Sequence, residues 1–421
     1  MVPTLMSPCK RSWMNSSAIF NPSKSLDGLT RRRLLRRAAL LSTLSSRWAA
    51  AAQPKSFFVY WGTYTEGGGQ FGNGESKGIY VSRMEGGKLT EPELAAETAN
   101  PSWVVVHPDR RYLYSVNERM TPDGKALPGE VSAFSIDHKT GKLTSINRVP
   151  SRGGQPCHIC TDRSGRMAMV ANWESGSTAG FPIGRHGELG ESTAFSQHEG
   201  PRSGPPAPGQ PQIHCHSVVV TPDNRFLLST DTGVNRVYVY RLDPSKASFT
   251  PHDPPFLGLQ KPTNPRHLAL HPNAKWAYVA NEINPGGCTM LRFDPARGTL
   301  EEGPVVASLP PDYKGRVSPA ECVVHPSGRF VYESNRGHNS IAVFRVNSSD
   351  GTLTLVETFL PGGETPRSFA IDPTGAFLIA MMQRSGTIIP LRIDPEIGKL
   401  APAGKTLKLP FPVCAEFVAA T

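Results

Sequence analysis

Along most of the chain, apolar residues come in short runs broken by Pro, Asp, Asn and Gly, and no long amphipathic helix stands out. One turn recurs with constant surroundings: His107-Pro-Asp-Arg-Arg-Tyr, Asp162-Arg-Ser-Gly-Arg-Met, Thr221-Pro-Asp-Asn-Arg-Phe, His271-Pro-Asn-Ala-Lys-Trp, His325-Pro-Ser-Gly-Arg-Phe and Asp372-Pro-Thr-Gly-Ala-Phe. Successive starts lie 55, 59, 50, 54 and 47 residues apart. Before each turn stands an apolar segment, such as Ser102-Trp-Val-Val-Val or Arg266-His-Leu-Ala-Leu. After it comes a second that ends in a polar residue, such as Leu113-Tyr-Ser-Val-Asn-Glu118. A third alternates apolar and polar residues, as in Ile341-Ala-Val-Phe-Arg-Val, and an Asp-x-x-x-Gly-x-Leu turn leads on to a fourth. Such segments between turn residues read as antiparallel strands. Four of them, repeating about every 50 residues, make one blade of a β-propeller.

The pattern therefore predicts an all-β protein, a seven-bladed β-propeller with four-stranded antiparallel blades. Six blades follow one another along the chain and the seventh is divided between the ends. Phe411-Pro-Val-Cys-Ala-Glu-Phe reads as its inner strand, Phe58-Val-Tyr-Trp-Gly-Thr-Tyr64 as its second and Gly78-Ile-Tyr-Val-Ser as its third. Pairing of the C-terminal strand with the N-terminal one then closes the ring and removes open sheet edges.

In a blade of this kind the start of the inner strand and the end of the second lie at the same end of the disc. Aligned on the turn, the inner-strand starts are Ser102, Cys157, His216, Arg266, Ala320 and Arg367. The second-strand ends are Glu118, Trp173, Thr232, Glu282, Arg336 and Gln383, with Tyr64 from the divided blade. These residues are predicted to converge on one mouth. Charge crowded where strands meet costs desolvation unless the groups pair or meet a ligand. An imidazole, carboxylates and guanidinium groups suit the opening or closing of a lactone. A His or carboxylate moves a proton, while Arg holds an anion and steadies a carbonyl oxygen as it gains charge. The same groups also suit an ion-pair network bracing neighbouring blades, and the residues alone leave both readings open. Among them, Arg367 suits a substrate anion and Trp173 a sugar ring. His214 and His216 are expected on one strand face, and His267, next to Arg266, is expected to face away from the channel.

Charge changes the picture in one respect. A net +10 suggests a nucleic-acid partner, but residues 1–52 carry nine Lys or Arg against one acid, Asp27, which leaves only +2 for the rest. A nucleic-acid footprint on the folded part is unsupported. Thr30-Arg-Arg-Arg-Leu-Leu-Arg36 instead reads as a twin-arginine export signal, followed by a short apolar core over 38–46 and a small-residue cleavage site at Ala49-Ala-Ala. The core is too short for a stable membrane span. Two parts are expected: a leader over 1–52 that engages the export machinery, and a propeller over 53–421 placed in the periplasm or secreted, with a cytoplasmic protein as the alternative. Cys157-His-Ile-Cys160 has metal or redox spacing, but in a strand those positions point to opposite faces, so buried thiols are expected there. A disulfide between blades remains open.

Beyond the repeat, several strings are distinctive: Gly62-Thr-Tyr-Thr, Ala171-Asn-Trp-Glu-Ser-Gly-Ser, His214-Cys-His-Ser, Asn264-Pro-Arg-His-Leu, Tyr278-Val-Ala-Asn-Glu and Tyr332-Glu-Ser-Asn-Arg-Gly-His. They resemble the lactonase family of seven-bladed propellers, which includes one bacterial type of 6-phosphogluconolactonase and the fungal carboxymuconate lactonizing enzyme. The resemblance implies a lactone hydrolase that uses no metal or other cofactor and activates water by general acid–base chemistry on a sugar or carboxylated lactone. Carried over by motif, His216, Arg266, Glu282 and Arg336 become the catalytic residues. His214, Trp173, Arg367 and Glu118 are expected around the substrate. Trp173 stands where the family often has Tyr, and Asn235 replaces an acid. A lactonizing or delactonizing lyase and a non-catalytic ligand-binding propeller are the alternatives.

Overall fold

The computed structural model describes residues 56–420 except 67, 69–71, 73, 122, 124, 202–212 and 284–285. The expected leader, with its arginine motif and cleavage site, lies outside the described residues. The described residues form seven antiparallel sheets and no α-helix. Blade 1 is Val104–Val106, Tyr112–Asn117, Pro128–Ile136 and Leu143–Gly154. The inner strands of blades 2 to 6 are Pro156–Thr161, Cys215–Val220, Pro265–Leu270, Pro319–Val324 and Pro366–Ile371. In blade 7 the C-terminal Pro412–Ala419 is innermost and pairs with Ser56–Thr63, followed outward by Gly78–Glu85. The closing register runs from Phe57 opposite Ala419 to Gly62 opposite Cys414, the closure that the divided pattern predicts.

The recurring turn sits at the end of the disc away from the inner-strand starts, and it staples blades together. His107 Nε2 bonds the Gly165 carbonyl of the next turn round at 2.8 Å, and His271 to Gly328 and His325 to Gly375 repeat the bond at the same length. Those three glycines have positive φ, and a side chain there would run into the histidine ring. Between blades, apolar faces interdigitate: Phe330, Tyr332 and Ile341 of blade 5 pack on Phe369, Leu378 and Leu391 of blade 6. Each such buried side chain is worth about 1.5–3 kcal/mol.

One irregularity prepares the mouth. In blades 2 to 7 the inner strand slips register by one residue near its start, at Cys157, His216, Arg266–His267, Ala320–Glu321, Arg367 and Val413. Such a bulge bends the strand and re-aims side chains, so strict alternation between faces fails there. Pro begins five of these six strands, where its missing N–H takes nothing from the ladder.

Candidate active site

The same backbone bond occurs in all seven blades. The amides of Tyr64, Glu118, Trp173, Thr232, Glu282, Arg336 and Gln383 donate to the carbonyls of Phe411, Asn100, Gln155, His214, Asn264, Ser318 and Thr365, at 2.9 to 3.1 Å. Each bond ties the end of a second strand to the segment leading into an inner strand, in six blades to the residue directly before it and in blade 1 to Asn100, ahead of Val104–Val106. The seven residues therefore occupy equivalent places on one rim, as the turn alignment predicts.

Side chains on this rim reach across blade boundaries. Arg336 Nη2 of blade 5 bonds Glu282 Oε1 of blade 4, with the two side chains 12 % and 25 % exposed. Tyr64 Oη donates to Glu118 Oε2 at 2.8 Å, and the Arg367 guanidinium lies 5.2 Å from the centre of the Tyr64 ring. Arg266, almost fully buried, donates through Nη1 to the Ala320 carbonyl at 2.8 Å, while its Nε has no partner. His216 Nδ1 lies 3.8 Å from Cys157 Sγ.

Burial raises the Glu282 carboxyl, but the charges of Arg336, Arg266 and Arg367 outweigh it and hold the group below its ordinary value. Burial, helped by Arg266 and by neighbouring His267 and Arg367, drives the His216 imidazole well below the usual range, so it is neutral at ordinary pH. Burial raises Glu118, partly offset by Arg367. Arg266 and Arg367 act on both His216 and Glu282, so the imidazole and the carboxylate share one electrostatic neighbourhood.

The chain matches the family described as Lactonase, 7-bladed beta-propeller, over residues 58–417. The chain belongs to this family. It is 34% identical over 370 residues to a 6-phosphogluconolactonase of Bacillus subtilis (strain 168), covering 86% of this chain and 98% of that protein. It is 30% identical over 319 residues to a 6-phosphogluconolactonase of Formosa agariphila, covering 74% and 88%. The structure of the periplasmic gluconolactonase of Pseudomonas aeruginosa superposes with a TM-score of 0.79 at 29% identity, over 87% of this chain and 100% of that one.

Two sequence expectations about this propeller fail at the bulges. His267 does not face away from the channel. Its ring centre lies 5.2 Å from that of His216, 5.2 Å from His158 and 4.9 Å from Trp103, because the slip between Pro265 and Leu268 breaks the alternation with Arg266. His214 and His216 do not share a face either. The slip between Cys215 and Ser217 separates them, and His214 instead stacks on Trp173 with ring centres 3.9 Å apart and Nδ1 3.2 Å from the Trp173 carbonyl. Trp173 thus meets His214 on one ring face. Among the described residues no group of three or more His, Cys, Asp or Glu gathers in a metal-ligating arrangement. Cys157 and Cys160 are separate free thiols, and Cys288 and Cys322 of neighbouring blades share a hydrogen bond at 4.0 Å between sulfurs but no disulfide.

Sequence reasoning missed two more cations. A cavity of about 110 Å³ on the rim is lined by Arg336 and Arg367 together with Arg316, Arg384, Thr365, Gln383 and Phe411. Arg384 directly follows Gln383, which offered a weak signal; Arg316 comes from the segment ahead of an inner strand and offered none. A larger cleft of about 680 Å³ is lined by residues such as Ile283, Leu309, Tyr313 and Lys314, whereas the smaller cavity has Arg336 and Arg367 of the rim cluster in its wall.

Proposed function

We propose that this propeller hydrolyses a lactone carrying an anionic group, with the ring carbonyl held between His216 and Arg266. Water attacks the carbonyl carbon while neutral His216 takes its proton. The unpartnered Nε–H of Arg266 meets the oxygen on which negative charge develops. As the bond from the carbonyl carbon to the ring oxygen breaks, the proton passes from His216 to that oxygen and a hydroxy acid leaves. Glu282 stays ionised, fixes Arg336 and accepts from a substrate hydroxyl. Four guanidinium groups around one cavity create a positive potential suited to a phosphate or carboxylate on the lactone. The names of the Bacillus and Formosa relatives point to a phosphorylated sugar lactone. The Pseudomonas name points to an unphosphorylated one, and the cavity favours the charged ligand.

The observation that carries this reading is the joint position, at the bulged starts of neighbouring inner strands, of the His216 imidazole and the buried Arg266 guanidinium with its unpartnered donor. A panel of phosphorylated, carboxylated and neutral sugar lactones tests it. The expected product is one water heavier than the substrate, and His216→Ala is expected to lower kcat by roughly 10²–10⁴-fold. Unchanged turnover removes His216 as base; a product isomeric with the substrate identifies a lyase; saturable binding with no turnover identifies a binding propeller.

We also propose that residues 1–52 send the protein to the periplasm. The arginine motif supports this, as does the periplasmic label of the Pseudomonas structure. Cell fractionation is expected to find the protein in the periplasm and to find it retained in the cytoplasm when Arg31 and Arg32 are both changed to Lys; retention of the unaltered protein rejects the assignment.

A further inference from the structure

One residue deeper than the rim, the inner strands bring a second set of side chains together. His267 of blade 4 packs on Trp103 of blade 1, His158 of blade 2 and His216 of blade 3, and its Nδ1 lies 3.0 Å from Glu321 Oε1 of blade 5. A side chain that touches four other blades lies at the axis of the ring. Trp103 and His158 stack with centres 4.4 Å apart, so aromatic rings fill the channel beneath the mouth.

The Glu321 carboxylate is held on both oxygens. The Cys322 amide donates to Oε1 at 3.0 Å and Ser368 Oγ to Oε2 at 2.8 Å. With Glu321 ionised, these bonds assign the proton on His267 to Nδ1, which leaves a lone pair on Nε2; that atom is buried and has no partner. Carboxylate, Nδ1–H and free Nε2 form the arrangement that orients an imidazole and offsets positive charge beyond it.

We propose that Glu321 and His267 are positioning residues of this site: Glu321 fixes His267, and His267 sets the orientation and charge of His216, against which it packs. The proposal rests on the reading of His216 as the base. When His216 takes the proton of water it becomes a cation beside Arg266, and the Glu321 carboxylate, acting through His267, offsets that charge.

The pair has a pH signature. Burial raises the Glu321 carboxyl to about 7, moderated by Ser368, Arg266 and His158. His267 is faced by Arg266, Arg336 and Arg367 and by Glu282, and burial together with the three guanidinium groups keeps it neutral; His158 is held neutral mainly by burial. The thiols of Cys322, raised by its hydrogen bond with Cys288 and by burial, and of Cys414, raised by burial, also lie near Glu321 and stay protonated. Of the groups that face His267, Glu321 is therefore the one raised to about 7; Glu416 of the blade 7 inner strand, also raised to about 7 by burial, is left unchanged in Glu321→Gln and serves as the internal control. The ionised form is the working one, so kcat rises with pH through about 7.

The test compares wild type with Glu321→Gln and Ser368→Ala on the lactone that wild type turns over best. For Glu321→Gln, kcat is expected to fall roughly 10–100-fold with KM within about twofold, and the rise of kcat near pH 7 to vanish. For Ser368→Ala, which removes a donor to the charged form, the midpoint is expected to move to higher pH. Unchanged kcat and an unchanged profile in both variants overturn the proposal. Nitrogen-15 NMR of the histidines supplies a readout independent of turnover. His267 is expected to carry its proton on Nδ1 at pH 8, and the His216 signals to shift in Glu321→Gln or, should that variant not fold, in Ser368→Ala. If wild type hydrolyses no lactone, the functional reading fails alone; identical His216 signals in wild type and variant sink the pair itself.

Discussion

Glutamates of one side-chain chemistry are driven in opposite directions by their surroundings. Glu282 is held low by three guanidinium groups, whereas Glu321 is raised to about 7 and Glu333 to about 8, in both cases chiefly by burial. Glu333 lies in the second strand of blade 5, fully buried, with only the Ser308 hydroxyl nearby to moderate the effect of burial. Its folded value exceeds the ordinary 4.5, so the folded state holds the proton more tightly than the unfolded one. Stability from this group is fully present below about pH 4.5 and declines as pH rises to about 8, by about 1.4 kcal/mol for each unit of separation. Glu333→Gln is expected to melt above wild type at pH 8.5, with the difference shrinking toward pH 5; thermal melts at the two pH values check it. A variant with the same deficit at both pH values means that Glu333 already carries its charge without penalty.

At the scale of the strand, the closing element and the bulge decide most. Ser56–Thr63 and Pro412–Ala419 are joined only by ring closure, and Tyr60, Trp61, Val413 and Val418 are buried along them. Removal of residues 412–421 exposes the second strand of blade 7 as an open edge and is expected to abolish a cooperative melt followed by circular dichroism. Gly62 faces the Pro101 carbonyl and the Cys414 thiol so closely that a Cβ would overlap both. Gly62→Ala is expected to destabilise by about 1–3 kcal/mol in chemical denaturation, and a cost near zero would show that the two strands can move apart. Strand order, blade count and closure were legible because alternation and turn chemistry are local. The bulges were not, because nothing in Pro-Arg-His-Leu or His-Cys-His-Ser announces an extra residue; the slip appears only against the partner strand.

For the whole molecule, the ring converts separate positions into one electrostatic surface. Arg316, Arg336, Arg367 and Arg384 line one cavity although they come from different strands and loops. Arg316→Ala and Arg384→Ala are each expected to raise KM for a phosphorylated or carboxylated lactone about tenfold and to leave KM for a neutral lactone unchanged. Rising salt should lower kcat/KM for the charged lactone more than for the neutral one. Steady-state kinetics on both substrates check this, and equal effects on the two would move the anion elsewhere. The rim residues His216, Arg266, Glu282 and Arg336 were found from sequence because sevenfold repetition makes equivalent positions countable. The contacts of His267 and Glu321 and the place of Arg316 were not, since they depend on what stands across the axis or outside the repeat.

The order of turns and apolar runs in the sequence alone determined the seven blades, their closure and the set of side chains on the rim, since those follow from interactions between residues close in the chain and from repetition. Tertiary structure alone decided which rim groups pair, which imidazole sits on the axis and which carboxyls burial raises toward neutrality. Those properties depend on desolvation and on charges brought from other blades, and neither is written in the neighbours along the chain.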